Sequence, residues 1–133
     1  MVKDAVGDNP LFKVSDFEIK SPGRSYSITT VRHFCRILPV STQLFFIIGG
    51  DSFPQLKTWK NIEDMLKMVT FIVVNRPGYS PRKNSIKHAA VTMPGIDISS
   101  SYLRRRVALG KSIKYLVPES VLEYIKKNKL YRT

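Results

Sequence analysis

An α/β fold on a parallel sheet is what this sequence predicts, on three observations. The runs Gln43–Ile48 (apolar after its first residue) and Phe71–Val74 are short and rich in β-branched and aromatic residues, as strands buried on both faces are. Segments with apolar residues at helical spacing lie between and after them. The connections are short, and parallel neighbours need a crossover that is usually a helix, so the alternation argues for one sheet flanked by helices.

Taken in order, Leu11 to Ile19 alternates apolar and polar residues for much of its length and predicts a half-buried strand. Lys20-Ser21-Pro22-Gly23-Arg24 has the composition of a turn. Ile28, Val31, Phe34, Cys35 and Leu38 recur at helical spacing, predicting a helix that starts near Thr29 and is stopped by Pro39. Gln43–Ile48 leads into the glycine turn Gly49-Gly50-Asp51, and Phe53 to Leu56 makes one short helical turn before Trp59. Asn61 to Lys67 predicts a helix with Asn61 as N-cap and with Glu63 and Asp64 in its first turn, where carboxylates complement the dipole. The strand Phe71–Val74 closes at Arg76-Pro77-Gly78, Tyr79 to Lys87 reads as a basic loop, and Ala89 to Met93 as a last short strand. A helix follows Ser99 and ends at Gly110, a residue suited to the position after a C-cap. Pro118 takes the first position of a final helix, with Glu119 beside it and Lys126 and Lys127 at its far end.

The bulk properties narrow the classes. A chain of 133 residues with 43% hydrophobic content is one domain's worth and can bury a core. The domain reading is therefore residues 1–133 as a single unit. Cys35 is the only cysteine, so no internal disulfide forms and a reducing cytoplasm is the expected compartment. The N-terminus lacks the apolar core of a signal peptide, and runs such as Leu44–Ile48 are far too short to span a bilayer. A net charge of +12 invites a polyanionic partner, but the basic residues form no block of five or six. A solvated lysine-rich surface explains most of them, and nucleic acid is disfavoured as a partner because most aromatics lie in apolar runs. The residues leave self-association open.

Ile98-Ser99-Ser100-Ser101-Tyr102-Leu103-Arg104 is the sharpest chemical signal. A helix start presents unpaired N–H groups and the positive end of its dipole, serine hydroxyls add donors, and an arginine one turn on adds a charged fork. Together they predict a phosphate cradle. The Gly49-Gly50-Asp51 turn lies at the carboxyl end of a strand, where α/β sheets collect ligands, and both features are expected to face one site. Each also has a plain structural role. Ser99 is a good N-cap, Asp51 an N-cap for the next helix, Gly49-Gly50 a turn, Trp59 and Tyr26 core aromatics, and Arg76 a surface residue.

Ser25-Tyr26-Ser27-Ile28-Thr29-Thr30, Phe46 to Ser52, Trp59-Lys60, Arg76-Pro77-Gly78 and Ile98 to Arg104 occur together in this order from about residue 8 to Tyr131. In this the chain resembles bacterial nicotinate-nucleotide adenylyltransferases, which join nicotinate mononucleotide to the AMP part of ATP and release pyrophosphate in NAD synthesis. The resemblance implies a Rossmann-like nucleotidyltransferase fold, with ATP as substrate and Mg²⁺ carried by its phosphates. It implies that Ser99 and Arg104 hold ATP phosphates while Ser100 and Ser101 shape the helix start. Gly49 would let the nucleotide approach the backbone, and Asp51 would accept from a ribose hydroxyl. Trp59 would stack on the pyridine ring, Tyr26 and Ser27 would recognise the nicotinate carboxylate, and Arg76 would belong to the same mononucleotide side. Departures are mild: Ser101 and Ser27 each replace a usual threonine and keep its hydroxyl, Gly50 replaces alanine, and Leu103 replaces isoleucine.

The family also opens with a strand, a turn of the form G-G-x-F-D-P-x-H-x-G-H and a helix, and this sequence contains no such segment. The expectation is an N-terminally truncated member, either a piece of a longer protein or a short product that does not turn over alone. No catalytic residue is assigned. His33 falls within a helix pattern and His88 after a basic loop, where it is expected to be solvated. No His, Cys and carboxylate cluster has metal-ligand spacing. Without a central first strand, the sheet is expected to show an open edge and apolar surface. Alternatives are a sister adenylyltransferase such as that acting on phosphopantetheine, a basic nucleic-acid-binding module, or a nucleotide-binding remnant without catalysis.

Overall fold

The computed structural model describes residues 1–7, 9–75, 85–95 and 98–132. In chain order the elements are α1 (Val2–Val6), α2 (Phe17–Lys20), α3 (Ser27–Ile37), β1 (Phe45–Gly49), a 3₁₀ segment (Phe53–Thr58) and α4 (Ile62–Met68). They continue with β2 (Thr70–Asn75), β3 (His88–Thr92), α5 (Ser100–Ala108) and α6 (Glu119–Lys127). The described residues group into two compact units, one within 17–95 and the other formed by 1–16 with the described part of 96–133.

The unit within 17–95 carries the sheet, in the order β1-β2-β3 with both pairs parallel. Phe46 pairs with Phe71 and Ile48 with Val73, so these four side chains share one face. That face is the core. Phe71 and Val73 are fully buried there, as are Phe53, Leu56 and Met65 from the 3₁₀ segment and α4, with Ile28 and Val31 of α3 in the same cluster. Burying each large apolar side chain stabilises the fold by about 1.5–3 kcal/mol, which makes this cluster the main source of the unit's stability. Around it, Arg32 of α3 meets Asp64 of α4 at 2.6 Å. The His33 ring lies flat on Phe17 at 3.8 Å, and the Thr30 hydroxyl donates to Glu18, so α2 is held to α3.

The opposite face is thinly covered. Ile47, Ile72 and Ala89 lie side by side across the three strands. β1 is an edge strand, Ile47 is 66% exposed and Phe45 51%. Among the described residues the expected open edge and apolar surface are thus seen at β1.

The second unit packs Ile113, Leu122 and Ile125 against Leu103, Val107, Val117, Val121 and Leu130. α1 docks on α6, where the Ser120 hydroxyl donates to the Asp4 carbonyl at 2.7 Å. α5 ends as expected. Gly110 sits at φ +68, its N–H donates to the Val107 carbonyl and the Lys111 N–H to the Arg106 carbonyl. This pair of hydrogen bonds closes the helix, and the positive φ at Gly110 suits a residue without a Cβ penalty.

Four local expectations change. Leu11 to Asp16 forms no strand; Leu11 is 88% exposed, and Asn9 Oδ1 accepts the Leu11 N–H at 3.0 Å. Alternation there has no neighbouring strand to pair with, and Phe17 to Lys20 turns helical instead. Asn61 stands at the N-cap of α4 but in the left-handed region, with no bond from its side chain. Its carbonyl accepts the N–H groups of Asp64 and Met65. Pro118 is the N-cap of α6, with extended ψ, and Glu119 is the first helical residue. α3 starts at Ser27, two residues before Thr29. Among the described residues no helix is long and apolar enough to cross a membrane.

Candidate functional site

The turn after β1 is built by close approach. Gly49 ends the strand, and Gly50 is buried with its N–H donating to the Val74 carbonyl at 2.9 Å, which extends the ladder one residue. The exposed Asp51 folds its carboxylate back, where Oδ1 accepts the Ser52 N–H at 3.0 Å. A Cβ at Gly49 would collide with that same Oδ1. Gly49 thus leaves open the space in which the Asp51 carboxylate lies, and a side chain there would displace it. Ser52, and not Asp51, is the N-cap of the following 3₁₀ segment, so the plain capping role expected for Asp51 is not the one it has. A carboxylate held at the rim of a parallel sheet, at the carboxyl end of a strand, is placed to accept from a ligand hydroxyl.

A second feature of this unit joins residues far apart in sequence. Ser25, Tyr26, Ser27, Thr58, Trp59, Lys60 and Met65 line one cavity of about 220 Å³. Tyr26 is the N-cap of α3, makes no side-chain capping bond, and no carboxylate stands in the first helical turn. The Thr29 N–H there donates to the Tyr26 carbonyl at 2.9 Å, so the N–H groups of Ser27 and Ile28 are the ones the helix start offers to an anion, which the dipole favours. Trp59 terminates the 3₁₀ segment, half-buried, with its ring edge-on to Phe46 at 5.8 Å. Core aromatic and cavity wall are the same residue. Lys60 Nζ lies 4.2 Å from the centroid of the Tyr26 ring. The sequence singles out Tyr26, Ser27 and Trp59, and the fold brings them together. Lys60, Thr58 and Met65 were missed as cavity residues; the signal was present only for Lys60, beside Trp59.

The other unit holds the start of α5. Ser99 is extended and its Oγ accepts the Tyr102 N–H at 3.1 Å, the expected N-cap. Ser100 and Arg104 are exposed and share the lining of a cavity of about 190 Å³ with apolar residues including Leu103 and Val107. Arg104 Nη2 donates to Ser101 Oγ at 3.1 Å, which lays the guanidinium back along the first turn. No acidic residue stands in that turn, so the donors there face no competing carboxylate on the helix itself.

Arg76 lies outside the described residues. His33 is engaged against Phe17 and Phe34. His88 is not solvated as expected: it begins β3, half-buried, with its ring 4.3 Å from Phe53 and Nδ1 within 2.8 Å of the Ile86 carbonyl. The alternation of a strand start turned it inward. Aromatics are also more exposed than expected in the second unit. Tyr115 is 88% exposed with Lys114 Nζ 5.1 Å from its ring, and Arg106 reaches the Tyr102 hydroxyl at 3.0 Å. Among the described residues no group of three or more His, Cys, Asp or Glu comes together.

The cytidylyltransferase-like family model matches residues 1–106. A probable nicotinate-nucleotide adenylyltransferase of Lactiplantibacillus plantarum is 43% identical over 98% of this chain and 61% of its own length. Those of a Thermoanaerobacter species and Oceanobacillus iheyensis are 42% and 40% identical, over 93% and 98% of this chain and 64% and 68% of their own lengths. The chain thus spans about three fifths of the length of the curated relatives it matches first. Among solved structures, Plasmodium falciparum nicotinic acid mononucleotide adenylyltransferase complexed with NaAD aligns with a TM-score of 0.62 at 21% identity. That alignment covers 81% of this chain and 58% of the other, and at that identity it speaks to fold: a Rossmann-like α/β nucleotidyltransferase architecture.

Proposed function

The chain belongs to the cytidylyltransferase-like family and, within it, to the nicotinate-nucleotide adenylyltransferases, and from that premise we propose that it provides substrate-binding parts for adenylyl transfer from ATP to nicotinate mononucleotide. The observation that carries this reading is the single cavity shared by Tyr26, Ser27 and Trp59, residues from two motifs more than thirty positions apart. A flat pyridine ring suits the Trp59 wall, and its carboxylate suits the uncapped start of α3. Arg76 would serve the same mononucleotide.

In the reaction, a phosphate oxygen of the mononucleotide attacks the α-phosphorus of ATP, forming one P–O bond while the bond to pyrophosphate breaks. No covalent enzyme intermediate is needed, so positioning and charge stabilisation are what the protein contributes. Ser99, Ser100 and Arg104 supply donors for ATP phosphates, and Asp51, at the glycine turn, accepts from a ribose hydroxyl. Mg²⁺ enters with ATP, held chiefly by phosphate oxygens as that ion usually is. Both histidines of this sequence are occupied by packing, so neither is assigned to phosphate contact. The working partners are two small soluble substrates, with the cytoplasm as the compartment.

Calorimetric titration of the chain with nicotinate mononucleotide and with ATP tests the binding half, and saturable heat from the mononucleotide is expected. Pyrophosphate release from the two substrates, catalysed by protein containing this sequence, tests the chemistry. Absence of both would overturn the reading.

A further inference from the structure

Among the described residues that line the Trp59 cavity, Lys60 is the one charged side chain, and none is a carboxylate. Among the described residues it has no ion-pair partner; its ammonium rests 4.2 Å from the centre of the Tyr26 ring, at the same wall as the uncapped helix start. Nicotinate and nicotinamide differ at one substituent, a carboxylate against a carboxamide of nearly the same shape. The hydroxyls of Ser25 and Ser27 donate to a carboxylate and accept from an amide, so they separate the two weakly. An ammonium only donates, and it favours a full negative charge over a neutral amide.

We propose that Lys60 sets the choice of substrate, drawing the acid form of the mononucleotide into the Trp59 cavity over the amide form. This rests on the reading of that cavity as the pyridine site. Tyr26 plays the positioning part: its ring carries the ammonium by cation–π attraction and keeps it at the cavity wall. Holding the cation there in advance lowers the ordering cost of pairing, which is otherwise what makes exposed lysine ion pairs weak.

Trp59 is the only tryptophan of the chain, so its fluorescence reads occupancy of the cavity directly. Nicotinate mononucleotide and nicotinamide mononucleotide are titrated in turn against the unaltered chain, Lys60→Met and Lys60→Arg. The expected result is a preference for the acid in the unaltered chain. In Lys60→Met the acid should bind about tenfold more weakly, with the amide changed by no more than about twofold. Lys60→Arg should restore much of the preference, because it restores the charge. An acid-to-amide ratio unchanged in Lys60→Met overturns the proposal, as does an equal fall in both affinities, which would mark loss of packing on Tyr26. If neither mononucleotide changes Trp59 emission in the unaltered chain, the pyridine-site reading falls and this inference with it. Acid binding with an unaltered ratio sinks the role of Lys60 alone.

Discussion

At the scale of single residues, two groups of side chains behave differently under substitution. Ser99 caps α5 with its own hydroxyl, so Ser99→Ala should cost about 1 kcal/mol of stability in thermal or denaturant unfolding, apart from any effect on ATP. Gly49→Ala puts a methyl where the Asp51 carboxylate lies. The fold should tolerate this by swinging Asp51 away from Ser52, and a titration with ATP should then show weakened binding at nearly unchanged stability. Arg104→Ala should weaken ATP strongly in the same assay, and Lys127→Ala, at the exposed end of α6, should do little. Ser99 was legible from sequence because a cap is a local event decided by a few consecutive residues. The tie between Gly49 and Asp51 was not, since it depends on how the carboxylate is folded back. His88 misled for a related reason, because burial at a strand start is decided by Phe53, thirty-five residues away.

Secondary elements show where local rules win and where they lose. α6 closes as α5 does, with the Leu130 N–H donating to the Ile125 carbonyl and the Lys129 N–H to the Lys126 carbonyl. Here the left-handed position, φ +51, is held by Lys129. Relief of that strain, offset by glycine's greater freedom when unfolded, should make Lys129→Gly more stable by about 0.5–1 kcal/mol, read as a raised melting temperature. The Arg32–Asp64 pair between α3 and α4 is largely solvent-exposed, so Asp64→Asn should cost less than about 1 kcal/mol. The helices around Val31, Met65 and Leu122 were readable from period, while the details of their starts were not. The strand expected at Leu11 to Ile19 failed because alternation only says that a segment suits a sheet; hydrogen bonds from a neighbour decide whether it joins one.

The whole molecule was legible in outline: strands at Phe45–Gly49 and Thr70–Asn75, their parallel pairing and the flanking helices follow from pattern and connection length. Assembly of Tyr26, Ser27 and Trp59 into one cavity was not readable from spacing, because it is a property of chain folding over more than thirty residues. What the sheet leaves uncovered has its own consequence. Among the described residues β1 pairs on one side only, and in the Ile47–Ile72–Ala89 row Ile47 is largely bare. Parallel strands ordinarily work with both faces covered. Protein concentration should therefore act as a thermodynamic variable for this chain. Association through β1 would draw folded molecules together by mass action, so the apparent melting temperature and the light scattered should both climb as the solution is concentrated. Ile47→Lys, which puts a charge on that row, should flatten both curves, and a melting temperature independent of concentration in the unaltered chain would show that the edge is inert.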